Sequence, residues 1–210
     1  MRDWATGRKL KKIYKKFSTT KPTQKAYIEC IHALVNLAEA KDPYTKRHSI
    51  KVSNYAVLLA KKLKLPKEEI ETIKLAAILH DVGKLGIKGK VLLKGGSLNR
   101  PEYEHVKKHS EMGVEIIKPF RFFNEVILII RHHHEKYDGS GYPDGLNGKN
   151  IPLGSRILAI ADCYDALTSR RAYRKAYSSQ QAMNIMKKEN GSKFDSQLLD
   201  IFMSCISSGK

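Results

Sequence analysis

The stretch "EEIETIKLAAILHDVGK", residues 68–84, decides the fold. Up to His80 its apolar residues recur at spacings of three and four, which places them on one face of an amphipathic helix. The same pattern recurs in "YIECIHALVNLAEA", residues 27–40, and the stretch "LNRPEYEHVKKHSEMGVEII", residues 98–117, begins a further helix with Asn99 as its N-cap. No alternating strand and turn pattern occurs along the chain, so the sequence predicts an all-α fold.

One short segment is ambiguous. The run "EVILII", residues 125–130, is compatible with a buried strand or with a helix that is apolar on all sides. The helical pattern on both sides of it favours the helix.

Length and composition limit the function classes. The 210 residues suffice for one well-buried core, and we expect one main domain at residues 23–210. The hydrophobic share of 41% and the charged share of 29% are typical of a soluble globular protein. No apolar run approaches the roughly 20 residues that span a bilayer, and the start of the chain lacks the apolar stretch of a secretory signal. We therefore expect a cytoplasmic protein.

The chain is strongly basic, with a formal net charge of +18. This charge predicts attraction to anions such as nucleotides, nucleic acid or an acidic membrane surface, and by itself it does not choose among them. Residues 1–22 form a predicted basic amphipathic helix, with Leu10, Ile13, Tyr14 and Phe17 on its apolar face. This helix is a candidate for contact with a membrane surface, for pairing with a protein partner, or for a linker to a regulatory domain, which is the interpretation we favour.

Histidines and acids mark a candidate metal site. His80 and Asp81 are adjacent at the end of an apolar helix, and an imidazole beside a carboxylate suits a divalent transition metal. Further candidate donors near loops or on other helices are His48, His109, His132, His133, His134 and Asp162. Helices of a bundle commonly direct such side chains to a shared metal. Neighbouring helical residues point about 100° apart, so His133 and His134 serve one ion best where their helix ends, as the following "EKYDGSGYP" predicts.

Six motifs follow one another in an order that points to a known family. They are "DPYTKRH" (42–48), "HDVGKLGI" (80–87), "KKHSEMG" (107–113), "HHEKYDGSGYPDG" (133–145), "IPLGSRILAIADCYDALTS" (151–169) and "RRAYRKA" (170–176). In these motifs the chain resembles the HD-GYP proteins, a bacterial subgroup of the HD-domain metal-dependent phosphohydrolases. The resemblance covers roughly residues 25–205 and implies a single HD-type helical bundle.

The resemblance implies a centre of two divalent transition metals, with iron or manganese expected. Asp81 would bridge the metals; His48, His80 and Asp162 would hold one, and His109, His133 and His134 the other. Tyr44 stands where family members with a third metal carry a glutamate, and a phenol is a poor ligand at neutral pH. His132 would then orient other groups or face solvent, His105 would be a surface or packing residue, and His32 a core histidine.

The resemblance also implies a substrate, cyclic di-GMP, cut to linear pGpG by a hydroxide that bridges the metals; whether cleavage continues to GMP stays open. Lys84 would stabilise the transition state or protonate the leaving oxygen. The turn Gly141, Tyr142 and Pro143 would contact the nucleotide, Tyr142 by hydrogen bonding or stacking, and Arg171 and Arg174 would bind phosphate. Asp165, one turn beyond Asp162, would either accept a hydrogen bond from a ligand or simply face outward from its helix.

Three alternatives to cyclic di-GMP hydrolysis stay open at this point. In the first, the chain is another HD phosphohydrolase that acts on a nucleotide or RNA. In the second, it is a phosphodiesterase that prefers mixed GMP and AMP rings (cGAMP). In the third, it is a non-catalytic scaffold that binds cyclic di-GMP. The presence of every expected ligand favours catalysis. No specific nucleic-acid partner is expected.

Overall fold

The computed structural model describes residues 24–41, 45–120, 123–170 and 175–208. The predicted basic helix of residues 1–22, Tyr44, the side chain of His32, Arg171 and Arg174 lie outside this part. The chain divides into two compact units, Met1–Ala33 and Leu34–Lys210, and the second of these is the helical bundle described below. The predicted domain boundary at residue 22 stays a prediction.

The described residues are helical and contain no strand, which confirms the all-α prediction. The helices are α1 (Gln24–Lys41), α2 (Thr45–Lys62), α3 (Lys67–Leu79), α4 (Gly89–Leu92), α5 (Arg100–Lys107), α6 (His109–Ile117), α7 (Asn124–His132), α8 (Leu153–Thr168), α9 (Ser179–Lys188) and α10 (Ser196–Ser208), with 3₁₀ helices at Val82–Gly86 and Gly148–Asn150. An isolated bridge pairs Asn190 with Phe194. None of the described helices is both long and apolar enough to cross a bilayer.

The bundle core forms where α2, α3, α7, α8 and α10 pack together. α2 packs against α3 and α8, α7 packs against α3, α6 and α8, and α10 packs against α2 and α8. The fully buried side chains of this core include Leu59, Ile130, Ile157, Leu158 and Phe202. Because each such side chain contributes roughly 1.5–3 kcal/mol on burial, this core holds together helices that carry candidate metal ligands.

Helix α7 contains the ambiguous run "EVILII", which is helical as favoured. Val126, Ile129 and Ile130 are buried, whereas Leu128 is 45% exposed, so the helix has an outer face despite its composition. Gly154 of α8 allows a close approach here, because a Cβ atom on it would lie 2.5 Å from Ile129 Cδ1. α7 ends at His132, as the glycine-rich sequence after His134 predicted.

The stretch 98–117 forms two helices rather than one. Asn99 caps α5 as predicted: its side chain accepts from the Glu102 backbone N–H, while the Glu102 carboxylate accepts from the Asn99 N–H. At Lys108 the helix breaks, because the Lys108 N–H turns back to the His105 carbonyl at 3.3 Å. α6 then begins at His109.

The 3₁₀ helix after α3 touches the backbone of α6. A Cβ atom on Gly83 would lie 1.8 Å from His109 O and 2.5 Å from Gly113 N, so only glycine fits there. This contact brings His80 and Asp81, at the end of α3, beside His109 at the start of α6.

Candidate metal centre

Two groups of side chains form the candidate metal centre. His48 of α2, His80 at the end of α3 and Asp162 of α8 make up the first group, and His109, His133 and His134 make up the second. Within each group, one possible ligand atom from every residue lies within 4.8 Å of the others. The structure therefore brings together the residues that the motifs assigned to each metal, although their role as ligands stays a prediction.

Asp81 lies between the two groups. Its Oδ2 is 3.4 Å from His80 Nε2 and 3.9 Å from His48 Nε2, whereas its Oδ1 is 3.8 Å from His109 Nε2. The side chain is 6% exposed. One carboxylate thus directs one oxygen to each group, which is the placement that a bridging ligand needs.

Backbone carbonyls orient the imidazoles of both groups. The Nδ1 atoms of His80, His109 and His133 lie at hydrogen-bond distance from the carbonyls of Ala77 (2.8 Å), Val106 (2.7 Å) and Ile130 (2.6 Å). A carbonyl only accepts, so each Nδ1 carries the proton and each Nε2 keeps a lone pair that faces the centre.

His48 is oriented by a carboxylate instead. Its Nδ1 donates to Asp165 Oδ2 at 2.7 Å, while its Nε2 lies 3.1 Å from Asp162 Oδ1. Asp165 is fully buried and also accepts from Ser169 Oγ at 3.0 Å. This contact favours the orienting role of Asp165 over a plain position on the outer face of α8.

The second group contains one buried nitrogen that no described residue pairs with. His133 Nε2 is buried without a hydrogen-bond partner among the described residues, and His134 Nε2 lies 3.1 Å from His109 Nε2. A buried polar atom without a partner costs about 1–3 kcal/mol, a cost that a cation bound to the lone pairs would remove. The donor set therefore fits a divalent transition metal.

Burial keeps this second group neutral. It lowers the pKa of His133 to about 3, with help from the neighbouring His80 and His109, and it holds the pKa of His134 well below its ordinary value. Burial likewise lowers the pKa of His109. These imidazoles offer lone pairs at neutral pH without first losing a proton.

The first group is electrostatically different. Burial opposes a charge on His48, but hydrogen bonds to Asp162 and Asp165 raise its pKa to about 10 in the metal-free protein. Burial also opposes the charge on Asp81, yet Lys84 and the nearby histidines hold the pKa of this carboxyl well below its ordinary range. The Lys84 Nζ donates to Asp81 Oδ2 at 2.7 Å, so its cation lies at the centre, where its predicted catalytic role stays a prediction.

The turn with Tyr142 lies over the second group. The Tyr142 ring stacks on the His134 ring, with centroids 4.9 Å apart, and the Tyr142 backbone N–H donates to the His134 carbonyl at 3.3 Å. A Cβ atom on Gly141 would lie 2.3 Å from Lys136 N, so the turn packs directly against the chain that follows α7. Burial raises the pKa of Tyr142 above its usual value, which keeps its hydroxyl a donor at neutral pH.

Four residues that the sequence did not single out for this purpose anchor that turn. We call Arg131, His132, Glu135 and Asp144 the Asp144 clamp. Arg131 donates to both Asp144 carboxylate oxygens at 2.8 and 2.7 Å, His132 Nε2 lies 2.9 Å from Asp144 Oδ2, and the Asp144 N–H donates to Glu135 Oε1 at 2.7 Å. His132 is buried, so the alternative that it faces solvent is wrong.

His105 lies apart from the metal groups, as expected. Its Nε2 accepts from the Lys88 backbone N–H at 3.3 Å, and the ring is half-buried between α5 and the preceding loop. The spacing of four residues to His109 therefore has a packing origin.

Comparison with known proteins identifies the family. The family model described as HD domain matches residues 32–198. The chain belongs to the HD domain family. This finding confirms the family indicated by the motifs, and the matched residues include all seven candidate metal ligands.

Relatives of this HD domain are named phosphodiesterases. The chain is 40% identical over 177 residues to the cyclic di-GMP phosphodiesterase response regulator RpfG of Xanthomonas campestris, covering 83% of this chain and 47% of that protein. It is 39% identical over 167 residues to the 3'3'-cGAMP-specific phosphodiesterase 3 of Vibrio cholerae, covering 79% of this chain and 36% of that protein. The chain thus spans less than half the length of either relative.

A solved structure shares the fold. The crystal structure of the cyclic GMP-AMP specific phosphodiesterase V-cGAP3 of V. cholerae superposes with a TM-score of 0.67 at 19% identity, covering 85% of this chain and 48% of that one. At this identity the likeness shows the helical fold of the HD domain.

Proposed function

We propose that this HD domain is a metal-dependent phosphodiesterase of cyclic dinucleotides, with cyclic di-GMP as its first candidate substrate. The observation that carries the proposal is the placement of Asp81 between two three-residue donor groups, one of which contains the unpaired His133 Nε2. The names of the related phosphodiesterases support the same reaction class.

The donor set defines the cofactor that the proposal requires. Iron or manganese ions would be held by His48, His80 and Asp162 on one side and by His109, His133 and His134 on the other, with Asp81 shared. Two such ions supply Lewis-acid polarisation of a phosphodiester and lower the pKa of a water molecule.

The protein's own groups bind and orient around this centre. The Nδ1 hydrogen bonds fix the imidazoles, and the Lys84 ammonium, which donates to Asp81, would stabilise negative charge that develops during phosphodiester hydrolysis. The Tyr142 hydroxyl is available as a hydrogen-bond donor above the second group. Arg171 and Arg174 stay predicted phosphate contacts. We expect linear pGpG as the first product and GMP when the second phosphodiester is also cut.

A mixed ring, cGAMP, is the second candidate substrate. Relatives named for cyclic di-GMP and for cGAMP match this chain at nearly equal identity, 40% and 39%. Either substrate is a dianion and would be attracted by the net charge of +18. Contacts of residues 1–22 with a protein partner, a regulatory domain or a membrane surface, and a cytoplasmic location, stay predictions.

The test combines metal analysis with hydrolysis on anaerobically purified protein. The wild-type chain is expected to hold about two metal ions and to form pGpG, and the double variant His80→Ala/Asp81→Ala is expected to lose both properties. His105→Ala is the matched control, since this histidine lies outside the donor groups and should leave metal content and hydrolysis unchanged.

Two results would contradict the proposal. A wild-type protein that takes up no metal would exclude the metal centre. A protein with its full metal content that binds cyclic di-GMP without cutting it would instead support the scaffold alternative.

A further inference from the structure

An exposed aromatic ring lies at the rim of the candidate centre. Tyr103, on α5, is 50% exposed. The Lys107 Nζ lies 5.9 Å from the centroid of the Tyr103 ring and 5.2 Å from that of Tyr142. Because Tyr142 in turn stacks on His134, Lys107 connects Tyr103 to the wall of the second donor group.

Helix geometry fixes this arrangement. Tyr103 and Lys107 are four residues apart on α5 and therefore share one face of the helix. Lys107 is held by Glu104, whose carboxylate oxygens lie 3.0 and 3.2 Å from its Nζ. At the end of the same helix the Val106 carbonyl orients His109. The helix that carries Tyr103 therefore contacts a residue of the second donor group.

The ring of Tyr142 is less available to a ligand than that of Tyr103. Tyr142 already contacts His134 by stacking, with an angle of 29° between the rings. Its hydroxyl and ring edge remain for a substrate, whereas Tyr103 offers an exposed ring.

A cyclic dinucleotide needs such a surface. When one phosphodiester lies at the metals, each base stands one ribose away, outside the centre but close to it. Stacking of a base on an aromatic side chain is worth about 1–3 kcal/mol and tolerates any base, because every base has a π-face.

We propose that Tyr103 is a nucleobase platform, on which one base of the cyclic dinucleotide stacks while a phosphodiester lies at the metal centre. The inference rests on the proposed function, since it assumes a cyclic dinucleotide as the ligand. Because stacking does not discriminate between guanine and adenine, Tyr103 strengthens the binding of cyclic di-GMP and cGAMP by the same factor and does not select between them.

The test compares Tyr103→Ala and Tyr103→Phe in steady-state hydrolysis of both dinucleotides. Tyr103→Ala is expected to raise KM roughly 5- to 150-fold while kcat changes by less than about threefold. Tyr103→Phe keeps the ring and should stay near wild type. Leu58→Ala, which removes another exposed apolar side chain, is the matched control and should change neither constant.

A binding measurement separates failure of this inference from failure of the proposed function. Titration calorimetry with a non-hydrolysable phosphorothioate analogue of cyclic di-GMP needs no turnover, and its Kd should rise by the same factor in Tyr103→Ala. An inactive wild-type protein that binds the analogue through Tyr103 would refute the phosphodiesterase and keep the platform. Unchanged KM and Kd in Tyr103→Ala, an equal loss in Tyr103→Phe, or no binding by the wild-type protein would each overturn the platform.

Discussion

Replacing Asp165 with asparagine is expected to weaken metal binding without disturbing the fold. Asp165 is fully buried and accepts the Nδ1 proton of His48 at 2.7 Å, which makes the opposite nitrogen a stronger donor to a metal. Asparagine has nearly the same shape, and its amide oxygen can accept the same proton. The substitution therefore removes a charge and little else.

The structure gives the size of the effect. A hydrogen bond to a charged group contributes about 1.5–3 kcal/mol and a neutral one about 0.5–1.5 kcal/mol, so the loss is about 1–2 kcal/mol, or roughly 5- to 30-fold in metal affinity. Ser169 Oγ lies 3.0 Å from the other carboxylate oxygen, and it can accept from the new amide group. Lys51 Nζ lies 3.8 Å from this oxygen and donates to Ser169 Oγ at 3.1 Å, so the lost charge also ends a half-exposed ion pair.

The assay is a competition titration of the metal-free protein with a chromophoric chelator. Asp195→Asn is the matched control, since Asp195 is also buried but pairs with Arg156 at 2.7 Å. We expect this control to lower the free energy of unfolding and to leave metal affinity unchanged.

The metal-free protein offers a second readout of the same contact. Asp165 is one of the groups that raise the pKa of His48 to about 10. A raised histidine pKa contributes stability that is fully present below about pH 6.5 and is lost as pH rises toward 10. Asp165→Asn should therefore be less stable than wild type at pH 6, with a difference that shrinks toward pH 10 in urea unfolding. Metal affinity within threefold of wild type, or an equal loss in Asp195→Asn, would refute the reasoning.

Three further predictions test the turn and the buried histidines. Asp144→Ala should break the hydrogen bonds of the Asp144 clamp and lower kcat/KM about tenfold, with metal content unchanged. Steady-state kinetics and metal analysis on the same sample test this, and a loss of metal would contradict it. Gly141→Ala should lower the free energy of unfolding by about 1–3 kcal/mol, because its Cβ would meet the backbone, whereas Gly95→Ala, with open space around it, should not. The free energy of unfolding of the metal-free protein should fall as pH falls from about 6.5 toward 3. Burial keeps His133 neutral in the folded protein, with a pKa of about 3, while the same histidine takes up a proton in the unfolded chain. A urea unfolding midpoint that stays constant over this pH range would exclude this cause.

The helices could be predicted from the sequence where one face is apolar and the ends carry caps. The period of α3 and the N-cap at Asn99 both appear in the structure as expected. The break at Lys108 could not be predicted, because no glycine or proline marks it and the interruption arises from a local turn to the His105 carbonyl.

The sequence indicated which residues are candidate ligands, but not how their side chains are arranged. The ordered motifs assigned seven ligands, and His133 and His134 stand at a helix end as their adjacency required. The contact of His48 with Asp165, by contrast, depends on how α2 packs against α8, which no local pattern encodes.

The Asp144 clamp was missed for a related reason. Asp144 returns to Arg131 across a loop, and a loop has no period from which such a contact could be read. The same holds for Tyr103, whose position beside Tyr142 follows from the tertiary contact of α5 with the turn.

Gly83 has a consequence for any attempt to retune this centre. A main-chain contact at Gly83 fixes the end of α3 against the start of α6. The spacing between the donor groups is therefore determined by a contact between two backbone segments. Exchanging one ligand type for another would alter which ion is preferred and leave that spacing as it is. A side chain at position 83 would meet the His109 carbonyl oxygen at 1.8 Å and push the two segments apart, so the spacing would change although no ligand is exchanged. The type of ligand and the spacing between the donor groups therefore depend on different residues of this domain.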